Sequence, residues 1–174
     1  GFDEILSEGA QKFEIFKQYN EAAQVFTTLA NLYYRLELHG EAGYYYERAA
    51  ENFFKSNLEN NQEISSACFV KASECYEIIS MRKKAEIMLK KGVFANSKKD
   101  IDEMENESHK LFDLKRYEES ASKFRAIAQV YMSAIDNLRT IAGTSVSGEL
   151  ALSVKSKLTE YSAIFNLFSA ISYM

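Results

Sequence analysis

Apolar residues recur at three- and four-residue spacing along almost the whole of this chain, and no proline interrupts them. Ile5, Phe13 and Phe16 begin the pattern; Ala22, Phe26, Leu29, Tyr33 and Leu36 continue it; Tyr46, Ala49, Ala50, Phe53 and Phe54 follow. That period belongs to an amphipathic helix, whereas a half-buried strand alternates every second residue. Antiparallel sheets also need Gly, Pro, Asn and Asp turns every 8–12 residues. Here the 7 glycines in 174 residues fall only at positions 1, 9, 40, 43, 92, 143 and 148. Breaks at Tyr19-Asn20, His39-Gly40, Ser56 to Gln62, Ser80-Met81, Asn96 to Asp100, Leu114-Lys115 and Gly143 to Gly148 predict about eight helices. They cover 2–18, 20–38, 41–56, 62–80, 82–96, 101–113, 116–141 and 149–172, joined by short connections that force successive helices antiparallel.

The helices repeat. Small residues lie twelve apart across a turn four times: Ala10 and Ala22, Ala30 and Ala42, Ser73 and Ala85, Ser108 and Ser120. Three residues after the first comes an aromatic or leucine (Phe13, Tyr33, Tyr76, Leu111), and four after the second another bulky group (Phe26, Tyr46, Leu89, Phe124). Small residues let two antiparallel helices approach, and the bulky ones fill the space to the next hairpin. Such a unit cannot bury its face alone and must stack.

On these residues the chain resembles the tetratricopeptide family, whose hairpins carry a bulky residue, a small residue and an aromatic on helix A and Ala-x-x-x-Phe on helix B. Phe69-x-x-Ala72-Ser73-x-x-Tyr76 with Ala85-x-x-x-Leu89 is one match; Met104-x-x-x-Ser108-x-x-Leu111 with Tyr117, Ser120 and Phe124 is another, 35 residues on. In the first half, Leu6-x-x-Gly9-Ala10-x-x-Phe13 with Ala22-x-x-x-Phe26 and Phe26-x-x-Leu29-Ala30-x-x-Tyr33 with Ala42-x-x-x-Tyr46 share a helix. The stretch from Asn20 to Lys55 is similar to the helical hairpins of the soluble NSF attachment proteins, the SNAPs. The resemblance covers about residues 3–134. It implies an all-α fold, an α-α superhelix in which about eight antiparallel helices form a TPR/SNAP-like, right-handed solenoid. SNAPs bind SNARE bundles, stimulate an ATPase through a C-terminal leucine pair and touch membranes through an aromatic loop. This chain ends Ala170-Ile171-Ser172-Tyr173-Met174, and its first turn, Gln18-Tyr19-Asn20, is short and polar. The expectation is therefore a non-catalytic protein-protein interaction adaptor in the cytoplasm, with a SNAP-type factor in vesicle fusion or membrane-associated assembly as the alternative.

If the hairpins stack as in the resembled family, the concave face is lined by Gln24, Thr27, Asn31, Tyr34 and Arg35, then Val70, Glu74 and Glu77, then Asp102, Glu105, His109, Phe112 and Asp113. That acidic, aromatic groove suits a basic or amphipathic peptide; a solvated face without a ligand is the alternative. Opposite in sign are Arg82, Lys83, Lys84, Lys90, Lys91, Lys98 and Lys99, with only Glu86 against them. They read as a solvated outer face, or a patch for an acidic partner, phosphate or lipid surface.

Charge excludes other classes. With 21 Lys and Arg against 25 Asp and Glu, the net of -4 provides no field to hold nucleic acid. Uncharged stretches fall short of the ~18 residues a membrane span needs, and Asp3 and Glu4 sit where a signal peptide is cationic. Cys68 and Cys75 lie seven apart, without metal or redox spacing, and read as buried reduced thiols. His109, four after Glu105 and four before Asp113, is a possible acid-base, metal or small-ligand cluster, against a solvated or groove-lining face. No cofactor or resident metal is expected. His39, before Gly40, is expected to end a helix, where a cation suits the macrodipole. Gly143 to Gly148 lacks the strand and the Gly-Lys-Ser/Thr of a phosphate loop and reads as a linker. The chain thus divides into a repeat domain 1–141, a linker 142–148 and an apolar helix 149–174. That helix, apolar most of the way round, inserts into the solenoid, pairs with a second subunit as a homodimer contact, or starts a further repeat.

Overall fold

The computed structural model describes residues 1–58, 60–95, 97–142 and 147–174, the side chains of Lys98, Lys99, Ile141 and Ala142 excepted. Residues 143–146 of the expected linker, the break at Asn96 and the side chains of Lys98 and Lys99 therefore lie outside the described residues. Two compact units result, Gly1–Asn96 and Ser97–Met174. The first holds α1 (Phe2–Ile15), α2 (Tyr19–Arg35), α3 (His39–Lys55), α4 (Asn61–Ile78) and α5 (Arg82–Phe94). The second holds α6 (Lys98–Asp113), α7 (Tyr117–Ala142) and α8 (Gly148–Ser172). Among the described residues there is no strand, and no described helix is long and apolar enough to cross a membrane.

One turn recurs four times. Lys17, Glu37, Ser80 and Lys115 each adopt a left-handed conformation, with φ of 59°, 60°, 62° and 61°. The following residue, Gln18, Leu38, Met81 or Arg116, donates its N–H back to the carbonyl of Phe13, Tyr33, Tyr76 or Leu111 at 2.8, 3.0, 2.8 and 2.9 Å. The left-handed residue itself bonds to the carbonyl of Glu14, Tyr34, Glu77 or Phe112. This is the Schellman helix ending, built without glycine. The next helix then starts immediately, with Ala22, Ala42, Ala85 and Ser120 donating to the carbonyls of Gln18, Leu38, Met81 and Arg116. The twelve-residue spacing of the small residues is the length of this device: seven residues to the left-handed position, five beyond it.

All eight small residues are completely buried. In two hairpins the contact is a hydrogen bond as well: the Ser73 hydroxyl donates to the Ala85 carbonyl at 2.7 Å, and the Ser120 hydroxyl to the Ser108 carbonyl at 2.9 Å. Phe26, Tyr46, Leu89 and Phe124 are buried behind them. Glycine sets the spacing where α4 is gripped on both sides. A Cβ on Gly43 would stand 3.0 Å from the Tyr76 ring and 3.2 Å from Cys75 Cβ; one on Gly92 would stand 3.1 Å from Val70 and 3.2 Å from the Ser66 carbonyl oxygen.

Within the first unit, contacts also skip one helix. Glu14 on α1 pairs with Arg48 and accepts from the Asn52 amide on α3; Glu47 and Glu51 on α3 face Lys84 and Lys91 on α5. On the even-numbered helices, Asn61 donates to Asn20 at 2.9 Å and Tyr34 to Glu74 at 3.4 Å. In the second unit, Phe124, Phe165 and Phe168 stack with Tyr131 between α7 and α8, and His109 of α6 packs edge-on against Phe124 and Phe168. Ser147 caps α8, accepting from the Leu150 N–H at 3.2 Å.

Two expected breaks fall elsewhere. Tyr19-Asn20 and His39-Gly40 are the opening residues of α2 and α3, because Lys17 and Glu37, rather than the nearby Asn and Gly, carry the left-handed turns. His39 consequently stands at a helix N-terminus, where the macrodipole disfavours a cation, and its Nδ1 is buried without a partner. The expected capping role is incorrect.

Two measurements of thermal or denaturant unfolding test this packing. Gly43→Val should destabilise the chain by about 1–3 kcal/mol through overpacking against Tyr76, whereas Gly9→Ala, whose Cβ meets nothing within 4 Å, should stabilise it by roughly 0.5–1 kcal/mol through helix propensity. Glu37→Gly should raise stability by up to about 1 kcal/mol by relieving the left-handed cost, and Glu37→Val should lower it by a similar amount or more.

Candidate functional site

The expected concave-face residues fall into two sets, one in each unit. In the first, the packing rules orient α2 and α4 by their small and bulky residues, which leaves Asn31, Tyr34, Arg35, Glu74 and Glu77 on the remaining surface. Tyr34 is the centre. Its hydroxyl donates to Glu74 Oε1 at 3.4 Å, the Lys71 ammonium lies 5.1 Å over its ring, and the rings of His39 and Tyr46 meet it edge-on at 5.5 and 6.4 Å. The Glu74 charge, with some burial, raises the Tyr34 phenol above its ordinary range. Asn31 Oδ1 accepts from the Tyr46 hydroxyl at 2.6 Å, so its amide N–H groups are the ones left for a ligand. Arg35 is exposed, its Nε reaching the Asn31 carbonyl at 3.5 Å. The surface thus presents a ring, a carboxylate, an amide and flanking cations drawn from α2 and α4.

Val70 does not belong to it. The residue is buried and packs toward Gly92 of α5, because α4 is enclosed by α3 on one side and α5 on the other. Gln24 is exposed and Thr27 half-buried, its hydroxyl donating to the Ala23 carbonyl.

In the second unit Asp102, His109, Phe112 and Asp113 are exposed on α6, with Glu105 half-buried. His109 Nε2 lies 4.0 Å from Glu105 Oε1, while its ring packs on Phe124 and Phe168; Phe112 meets Tyr117 edge-on at 5.3 Å across the turn. Among the described residues no three His, Cys, Asp or Glu side chains converge to hold a metal ion, so His109 with Glu105 and Asp113 does not form the metal cluster that their spacing allows.

The basic helix also differs from expectation. Glu86 is joined as a countercharge by Glu47 and Glu51 of α3, which lie 3.4 and 3.8 Å from Lys84 and Lys91, and both lysines cover aromatic rings, Tyr76 and Phe69. Arg82 meets Glu86 at 3.7 Å; Lys83 and Lys90 lie on the same helix. Countercharges from another helix are invisible to a reading that pairs charges along one. The same holds for Lys71 over Tyr34, and for Tyr33, which donates to Asp3 of α1 at 2.5 Å. For the α3–α5 pairs the signal that could have found them is charge of opposite sign on helices two apart in sequence.

Comparison of this chain with protein families, with curated proteins and with solved structures finds no match. What it does must be read from its own residues.

Several groups are held protonated by the fold. Burial pushes the Cys68 and Cys75 thiols from 9.0 to about 11, and Tyr46 and Tyr131 from 10.0 to about 12. Acceptance by Asp3 takes Tyr33 to about 12, and burial followed by the hydrogen bond to Glu47 raises Tyr76 as well. Each folded value lies above the unfolded one, so the stabilisation is complete below the ordinary values and is lost as pH rises through the raised ones. The melting temperature should therefore hold up to about pH 9 and fall steeply from there to pH 12, with both thiols inert to a thiol reagent until unfolding.

Proposed function

We propose that this chain is a non-catalytic adaptor, a stack of tetratricopeptide-like hairpins of the overlapping SNAP type, that holds a peptide or helix of a partner protein on the α2–α4 face. The observation that carries the reading is the Tyr34 group: Asn31, Tyr34, Lys71 and Glu74 assemble from two helices on a surface that the packing of the hairpins does not use. Four identical left-handed turns, and the sharing of α2 between two hairpins, support the repeat assignment. Its partner is a basic or amphipathic segment. Lys71 over Tyr34 is a built-in example of how the face receives a cation, and a partner's Lys or Arg would find the same ring chemistry with the Glu74 carboxylate at its hydroxyl. The acidic set on α6, Asp102, Glu105 and Asp113 with His109 and Phe112, extends the same preference to the second unit. Free, buried Cys68 and Cys75 suit a reducing cytoplasmic setting.

The test is titration calorimetry with an amphipathic lysine-rich helical peptide. The double variant Glu74→Lys with Glu77→Lys should weaken binding at least about tenfold, or 1.4 kcal/mol, with helical circular dichroism retained. Asp136→Lys, on an exposed part of α7, should bind as the parent does. Equal affinity of the double variant and the parent would sink the proposal.

A further inference from the structure

We infer that α8 pairs with α8 of a second copy of this chain, through the face that it turns away from α7. The buried side of α8 is accounted for: Val154, Leu158, Ser162, Phe165, Ser169 and Ser172 face inward, with Phe165 on Phe124 and Tyr131 and the Ser169 hydroxyl donating to the Ala121 carbonyl at 3.3 Å. The opposite side carries a second stripe, at coiled-coil rather than globular spacing. Ile164, Leu167 and Ile171 are exposed by 45, 61 and 40%, and Met174 follows the helix at the same interval. Written as a heptad, isoleucine occupies both a positions and leucine the d position between them, the combination that favours two parallel strands. The seam is flanked on one side by Ala163 and Ala170, small enough for close approach, and on the other by Tyr161 and Phe168.

Charge identifies the occupant. From Tyr161 to Met174 there is no Asp, Glu, Lys or Arg, in a chain that is 26% charged. A two-fold contact sets each residue of the seam against itself, so any charge there would face its own like, and the seam carries none. A partner chosen by charge complementarity, as on the α2–α4 face, would find nothing to recognise. The charges of α8, Glu149, Lys155, Lys157 and Glu160, all precede the seam.

Sedimentation equilibrium of the whole chain across the micromolar range tests this, independently of the peptide-binding proposal. The parent should dimerise. Leu167→Glu and Leu167→Lys should each weaken the dimer at least tenfold without loss of helical circular dichroism, and an equal mixture of the two should form the heterodimer, because d faces d in the parallel pair. Leu152→Glu, equally exposed on α8 but off the seam, should dimerise like the parent and serves as the control for a folded, more acidic helix. A parent that stays monomeric, a Leu167→Glu chain that dimerises like the parent, or a mixture that stays monomeric would each overturn the inference.

Discussion

The close approach of two helix backbones at a pair of completely buried small residues is the contact on which the remaining packing depends. It exists because a left-handed turn of fixed length places the second small residue five positions after Lys17, Glu37, Ser80 or Lys115. One residue more or less would rotate the second helix by about 100° and replace the small residue with a neighbour. In the α4–α5 and α6–α7 hairpins the serine hydroxyl then bonds across to the carbonyl of its counterpart, so approach and hydrogen bond specify the same register. A left-handed non-glycine residue costs about 1–2 kcal/mol, and four such turns persist because the buried pairs they align would be lost without them.

That division of labour explains why the surface is legible at all. Residues at the small and bulky positions are committed to packing, and this accounts for Phe26, Tyr46, Tyr76 and Phe124, all buried. What stays outside is a different population. On α2 and α4 it is polar and aromatic, gathered about Tyr34; on α5 it is basic but answered by acids of α3; on the end of α8 it is apolar and uncharged. Chemically distinct faces are left on α2 and α4, on α5 and on α8 because burial commits only one side of each of these helices.

The spacing of Ala10, Ala22, Ser73 and Ala85 correctly marked the buried contacts, since periodicity is a property of one helix and its immediate neighbour. Tyr34, Asn31 and Glu74 come onto one surface only through the resemblance to a family of stacked hairpins; periodicity along one helix does not bring α2 and α4 together, and it gives no sign of Lys71, which sits over Tyr34. Val70 and His39 went wrong for related reasons. Val70 is buried toward Gly92 of α5, and a helical wheel does not show which neighbouring helix will cover a residue. His39 is assigned to a helix end by the glycine after it, while the turn is made two residues before it by Glu37, whose side chain gives no sign of a left-handed backbone.

The sequence by itself determined that the chain is helical, nearly where each helix lies, and which small residues are buried in each hairpin, because these depend on spacings of a few residues along one chain. Only the tertiary structure decided which charges are answered and by what. Glu14 with Arg48, Glu47 with Lys84, and Glu51 with Lys91 join helices that are not consecutive. Such pairs depend on how one hairpin lies against the next, which is settled by the summed packing of many side chains and leaves no local spacing to read.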